Sequence, residues 1–301
     1  MLFTCLPNDA IVREVYLGAR GIASAARRGL VTCDCSTVSP QVTTALHAAL
    51  RERGVDHMDT PMLGSQPQAV EGQIFFIVGG EAGRLPAIAP YLELMGKMHM
   101  YVGGSGMANR VKLIHNGLAA VTSVAVAEAL AVCVQSGVEP GTFYDVVKNG
   151  GGMAYGTYFD RRAKRILDGE FSPTFMLELM RKDATLALDL ARSVQVPAPI
   201  LEETKRTYDE ALDSGWGRED FSAVTHVVEK RIGRRLSARL RHPAAGSRMG
   251  AGARPGAGPP TRAEPGGVRC RSSSRDARLP RSRCPTRTAR PGGSGTTRAG
   301  R

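Results

Sequence analysis

Aromatic residues are scarce in this sequence, at 5% of 301 residues with one Trp, and no apolar run continues unbroken for the roughly 20 residues of a membrane-spanning helix. The most apolar stretch, 117–134, is interrupted by Glu128, and Lys112, His115 and Asn116 stand at its head. It reads as a helix buried by other helices, and no part of the chain is expected to span a membrane. Cys-x-x-Cys spacing is missing from the six cysteines (Cys5, Cys33, Cys35, Cys133, Cys270 and Cys284), and the six histidines stand singly. That argues against a Cys/His zinc site, so no metal is expected. No basic-then-apolar leader opens the chain. The cysteines are therefore expected to be reduced thiols of a cytoplasmic protein.

Lysine and aromatics are absent from residues 233–301, which hold 17 Arg against only Glu264 and Asp276, a net charge of +15. Taking +15 from the whole-chain +12 leaves −3 for residues 1–232, a mildly acidic body. Such a body argues against a nucleic-acid-binding globular domain. The basic segment has 12 Gly and 8 Pro, and its large aliphatics stop at Leu236, Leu240, Met249, Val268 and Leu279. It cannot bury enough apolar surface to offset backbone ordering at about 1–2 kcal/mol per residue, so 233–301 is expected to be a disordered tail. One reading makes it an Arg/Gly arm that binds nucleic-acid phosphates. The other makes it functionless, a composition that G/C-rich codons give when a reading frame shifts. The lack of aromatics for base stacking favours the second.

What is present is an alternation of short apolar runs and amphipathic stretches. Leu2–Leu6, Leu30–Cys35, Val55–Met58, Ile74–Val78 and His99–Val102 read as strands. Helices follow from Asn8-Asp9, from the Ser39-Pro40 cap to about Arg53, and over Glu81–Leu94. Short connections between them predict a mostly parallel sheet of α/β type. After Gly106 the strand signals stop. One long helix is expected from Asn109 to about Ser136, with helices onward to Gly233. The expected organisation is α/β over 1–108, all-α over 109–232 and tail over 233–301.

Five separated motifs then resemble the β-hydroxyacid dehydrogenase family, which includes 3-hydroxyisobutyrate dehydrogenases and tartronate semialdehyde reductases. Asp59-Thr60-Pro61-Met62-Leu63-Gly64-Ser65 is similar to its Asp-Ala-Pro-Val-Ser-Gly-Gly loop, with Ala69, Gly72, Ile74–Val78 and Gly79-Gly80 in the places that follow. Leu6-Pro7 and Ser36-Thr37-Val38-Ser39-Pro40 resemble the two loops on its cofactor side. The run from Gly106 through Lys112 to Asn116 resembles its catalytic signature, Lys182-Asp183 its C-terminal Lys-Asp pair, and Asp220-Phe221-Ser222-Ala223 the start of its final helix. Order and spacing across residues 2–232 carry the signal, since each motif alone is weak. The resemblance implies part of a Rossmann-type sheet followed by a helical dimerisation and substrate domain. It implies NAD or NADP as cofactor, and hydride transfer between the nicotinamide and a small 3-hydroxy acid or acid-aldehyde. It also implies Lys112 and Asn116 as catalytic residues, Leu6, Pro7, Thr37 and Lys182 as cofactor-binding, and a homo-oligomer formed through the helical part.

The chemistry of those positions can be argued from the residues. Lys112 and Asn116 are four apart on one helix face near its N-terminus. Burial and the positive helix end both favour a lowered lysine pKa, which suits proton transfer to a carbonyl oxygen as hydride reaches carbon. Taken alone, a Lys-x-x-x-Asn pair reads as surface residues near a cap. Gly64-Ser65 offers a turn whose N–H groups can face a substrate carboxylate, although Leu63 stands where the family has Ser. His115 reads as a helix-side histidine with no proton role. Gly150-Gly151-Gly152 reads as a flexible helix connection.

The family's strand, Gly-x-Gly-x-x-Gly turn and helix, which hold a dinucleotide pyrophosphate, have no counterpart here. Gly18 to Gly21 does not replace them. The chain reads as N-terminally truncated by about 60 residues, the size of that unit, with cofactor binding expected to be impaired. Two other classes stay open at this stage: a non-catalytic oligomerising remnant, and a nucleic-acid-associated protein acting through the Arg-rich tail.

Overall fold

The computed structural model describes residues 1–237. Its first half is one six-stranded sheet with helices on both faces. In chain order the elements are β1 (Leu2–Thr4), α1 (Asp9–Leu17), α2 (Ile22–Ala25), β2 (Val31–Asp34), α3 (Pro40–Arg51), β3 (Asp56–Asp59), β4 (Met62–Leu63), α4 (Gln66–Val70), β5 (Phe75–Gly79), α5 (Leu85–Met95) and β6 (Met98–Gly103). The caps are the ones the sequence offers. Asn8 accepts from Ile11 N–H at 3.0 Å to start α1, and Ser39 accepts from Val42 N–H at 3.2 Å to start α3, with Pro40 in its first turn.

Strands β1, β2 and β3 are parallel, and β6 is parallel to β5. The expectation of a mostly parallel sheet needs one correction. β4 and the end of β3 run antiparallel to β5, with Met62 opposite Phe76 and Asp59 opposite Gly79. Thr60-Pro61 carries the chain straight on from β3 into β4, so β5 meets it from the opposite direction. Each face of the sheet has its own core. Val31, Cys33, Met58, Phe76 and Val78 pack under Ile88 and Leu92 of α5. Val12 and Tyr16 of α1 pack with Val42, Leu46 and Leu50 of α3. Among the described residues β1 is an edge strand, bonded only to β2.

The second half is helical: α6 (Met107–Ser136), α7 (Pro140–Asn149), α8 (Thr157–Asp168), α9 (Leu177–Ser193), α10 (Pro199–Asp213) and α11 (Thr225–Ile232). α6 is long and apolar enough to cross a membrane by length and composition, but half of its most apolar window is buried within the fold. The helices α8, α9, α10 and α11 pack around it. That packing accounts for its apolarity.

The first residues of the tail expected from Gly233 are packed against the helical half. Leu236 is fully buried in the cluster of Leu130, Phe159, Ile166 and Val228, and its N–H donates to Glu229 Oε1 at 2.7 Å. One leucine between arginines and serine carries no periodic signal, yet it finds a vacant place in the helical core. The remainder of the tail, residues 238–301, lies outside the described residues.

Candidate functional site

Lys112 lies in the second turn of α6 and is 9% exposed. Burial lowers its pKa from the usual lysine value to about 8; Asp183 pulls the value back up and Lys182 pushes it further down. A buried cation is costly without a partner, so the proton on this amine is loosely held. Asn116, one turn further along the same face, is also buried. Its Nδ2 donates to Asp183 Oδ2 at 2.6 Å, and its Oδ1 lies 2.9 Å from His115 Nδ1. With His115 donating from Nδ1, both ends of the amide are fixed and one N–H stays free. His115 therefore orients Asn116, a role that a helix-side position does not announce.

Asp183 comes from α9 and is 1% exposed. In the sequence it stands out only as the neighbour of Lys182. In the structure it is the acid that joins the two helices. Lys182 Nζ lies 2.9 Å from Asp183 Oδ1, off the hydrogen-bonding direction, so that buried oxygen has no hydrogen-bond partner. Lys182 Nζ donates instead to the carbonyl of Thr37, at 2.5 Å. Two of the expected cofactor residues, Thr37 and Lys182, are thus brought together from positions 145 apart.

Leu6 and Pro7 follow β1 and reach the same end of the sheet. Leu6 N–H donates to Ser36 Oγ at 2.8 Å, and that hydroxyl donates to Asp34 Oδ1 at 2.5 Å. Asp34 also accepts from Thr4 Oγ1 at 2.9 Å and from Ser36 N–H at 3.2 Å. Burial raises its pKa against these bonds. One buried carboxylate at the end of β2 therefore ties together both loops in which the sequence placed cofactor contacts. The signal that could have found it is an acid closing the strand Val31-Thr32-Cys33, two residues before Ser36.

Gly64 and Ser65 are not joined to this cluster by any hydrogen bond among the described residues. Gly64 adopts φ +123° at the end of β4. Ser65 caps α4, and both its N–H and its hydroxyl donate to Gln68 Oε1 at 2.9 Å. The turn that was expected to receive a substrate carboxylate is here closed on Gln68. A separate groove of about 550 Å³, lined by Ile114, Leu118, Leu190, Val194 and Ile200, is apolar and has no group to hold an anion.

Comparison with known proteins divides the chain in a similar way. Residues 1–103 match the NAD binding domain of 6-phosphogluconate dehydrogenase, and residues 106–228 match the NAD-binding domain of NADP-dependent 3-hydroxyisobutyrate dehydrogenase. The chain is 33% identical over 233 residues to 2-(hydroxymethyl)glutarate dehydrogenase of Eubacterium barkeri, covering 77% of each. It is 32% identical over 235 residues to 3-sulfolactaldehyde reductase of Escherichia coli, covering 77% of this chain and 78% of that enzyme. The crystal structure of a 3-hydroxyisobutyrate dehydrogenase from Salmonella typhimurium superposes with a TM-score of 0.68 at 26% identity, over 75% of this chain and 78% of that one.

Proposed function

The chain belongs to the β-hydroxyacid dehydrogenase family of NAD(P)-dependent oxidoreductases, and we propose that Lys112 moves the proton that accompanies hydride transfer to or from a small hydroxy acid. One arrangement supports this reading: a buried lysine with its pKa lowered to about 8, beside a buried carboxylate and a tethered amide on the same helix face. When bound, NAD or NADP accepts or supplies the hydride. In the reducing direction Lys112 Nζ donates a proton to the carbonyl oxygen. In the oxidising direction the neutral amine takes the proton from the hydroxyl. The free N–H of Asn116 holds that same oxygen, and Asp183 keeps the amide aimed.

The nicotinamide end of the cofactor fits this site, because the buried Asp183 Oδ1 lacks a hydrogen-bond partner and is an acceptor that a carboxamide N–H could fill. Leu6, Pro7, Thr37 and Lys182 are the residues that would line it. The pyrophosphate end has no Gly-rich cradle among these residues: Gly18 closes α1, and Gly21 only opens the four-residue α2. The substrate class is a small molecule carrying a hydroxyl or aldehyde near an acid group. The relatives named for 2-(hydroxymethyl)glutarate and 3-sulfolactaldehyde support it; the first name carries a carboxylate acid and the second a sulfonate. On this reading residues 1–108 form the cofactor wall and 109–232 the substrate wall. The homo-oligomer expected through the helical half would use the apolar groove, a reading supported by the exposed Ile114, Leu118 and Ile200. We place the enzyme in the cytoplasm, in keeping with free Cys5, Cys33, Cys35 and Cys133. Nothing in the comparisons supports a non-catalytic remnant or a nucleic-acid-associated protein.

The pH dependence tests the proton role. Protonated Lys112 is the acid for reduction, so kcat/KM for reduction falls as pH rises through about 8. Oxidation needs the neutral amine and rises through the same value. Rates measured in both directions from pH 6 to 10 check it. A flat profile in both directions removes Lys112 from the role.

Lys182→Ala should act on binding instead. It removes the bond to Thr37 and one of the two cations near Asp183. On the reading that Lys182 also gives the bound cofactor a charge-assisted hydrogen bond of about 1.5–3 kcal/mol, the KM for NAD(P)H is expected to rise about 10–100-fold. Unchanged affinity for cofactor and substrate, read by fluorescence titration, would reduce Lys182 to a structural brace.

A further inference from the structure

α6 begins without a cap of its own. Gly106, at its N-cap position, has φ +80° and no side chain. In the usual capping box the N-cap side chain takes the N–H of the third helical residue, and that residue's side chain returns to the N-cap N–H. Here the third residue is Asn109, and its side chain is engaged elsewhere. Its Oδ1 accepts from Val38 N–H at 3.2 Å and its Nδ2 donates to Thr43 Oγ1 at 3.1 Å. Both missing bonds come from one distant carboxylate. Asp59, the last residue of β3, accepts from Gly106 N–H at 3.0 Å on Oδ1 and from Asn109 N–H at 3.1 Å on Oδ2.

The carboxylate is fully buried, and its site is kept open by a glycine. Gly79 lies opposite Asp59 in the β3–β5 pairing. A β-carbon on Gly79 would lie 2.6 Å from Asp59 Oδ1 and 2.9 Å from Oδ2. Both oxygens are already bonded, so the carboxylate cannot swing away without releasing the helix. Asn109 and Lys112 are three residues apart on one face, a rise of about 4.5 Å. Any displacement of the first turn is therefore carried directly to the lysine.

We propose that Asp59, with Gly79 as the opening it needs, is a positioning residue that locks the first turn of α6 to the sheet and thereby sets where Lys112 sits against the cofactor wall. The clamp rests on the reading of Lys112 as the proton carrier for its functional meaning, but not for its geometry. A misplacement of about 1 Å at a reacting group costs on the order of 100-fold in rate. Such a lock is what the lysine's position requires.

The test reads the lysine without turnover. The full chain is acetylated with acetic anhydride over a pH series, and the extent at each lysine is measured by peptide mass spectrometry. Asp59→Asn keeps the shape, but one of its two bonds becomes an amide N–H facing a backbone N–H. In that variant the pH midpoint for Lys112 is expected to rise by a unit or more, toward an ordinary lysine. Lys164, exposed on the outside of the helical half, keeps its own. Amide exchange at Asn109 is expected to quicken at least tenfold. Gly79→Ala retains the carboxylate but crowds it, and should move both readouts in the same direction; it also serves if Asp59→Asn fails to fold. A merely structural role would lower the melting temperature and leave the Lys112 midpoint unmoved in folded protein. That result, in either variant, overturns the proposal. If the midpoint moves while Lys112→Ala leaves hydride transfer intact, the clamp stands and the catalytic reading falls. If the reverse holds, the clamp alone falls.

Discussion

Lys112→Ala is expected to slow hydride transfer by about 10²–10⁴-fold at a fixed millimolar NAD(P)H concentration, the range that a positioned general acid or base contributes. Cofactor affinity should change little, because on the proposed reading the side chain works on the substrate oxygen and the Thr37–Lys182 brace is untouched. The same burial that tunes the amine also strains the fold. The lysine's pKa falls from its usual value to about 8, so holding it protonated in the folded state costs roughly 3 kcal/mol below that pH. The sign is the reverse of a lysine that gains a partner. The cost is full below about pH 8 and fades as pH rises toward the unfolded value near 10.5. Lys112→Met, similar in length but uncharged, should therefore be inactive yet more stable than the parent at pH 7. Its advantage in urea unfolding should shrink between pH 8 and 10. A variant that is inactive and no more stable at pH 7 would mean that Asp183 already offsets the burial of the charge. A rate within tenfold of the parent would take Lys112 out of the chemistry altogether.

The parts of this arrangement that the sequence made legible are those with a local period. Apolar runs bounded by Asn8-Asp9 and Ser39-Pro40 placed β1, α1, β2 and α3 within a few residues, because capping chemistry is local. The four-residue spacing of Lys112 and Asn116 placed both on one face for the same reason. β4 was not legible, since two residues cannot show a period of two, and with it the reversal against β5 was missed. The partners of the site were hidden by distance along the chain. Asp183 meets Asn116 across 67 residues, and Asp59 meets Gly106 across 47. Each acid stands in a motif, Asp59 at the head of the loop to Ser65 and Asp183 beside Lys182, but neither motif names its partner, which becomes visible only when the fold brings an amide or a helix terminus to it. Leu236 was hidden in the opposite way, by the weight of the arginines around it.

Asp220→Ala is expected to cost about 3–5 kcal/mol, the loss typical of removing one member of a buried ion pair. Asp220 is fully buried and holds three segments of the helical half together. It accepts from Arg162 Nη1 of α8 at 2.9 Å, from Thr174 N–H and Oγ1 before α9 at 3.1 and 2.7 Å, and from Ser222 N–H and Oγ ahead of α11 at 3.1 and 2.6 Å. Burial raises its pKa, but the bonds from Ser222 and Thr174 and the charge of Arg162 outweigh it, and the net value lies below the ordinary carboxylate range. Its folded pKa is depressed, so its stabilisation is present above the unfolded value near 4 and is lost only as pH falls through the folded one. Alanine strands Arg162, 14% exposed and stacked 3.9 Å over Phe221, without the carboxylate it faces. It also leaves the buried Ser222 N–H unpaired, and the half-buried Thr174 N–H without its acceptor. For a body of this size the loss corresponds to a fall of roughly 6–20 °C in melting temperature. The loss should narrow below about pH 4, where the parent protein loses the same contribution. Amide protection should drop first in α8, α9 and α11, while β2 and β3 keep theirs. Asp220→Asn, which retains an acceptor for Ser222 or Thr174 but no charge for Arg162, should fall between the two. A melting temperature within 2 °C of the parent at pH 7 would mean that the helical half is held by its apolar clusters alone.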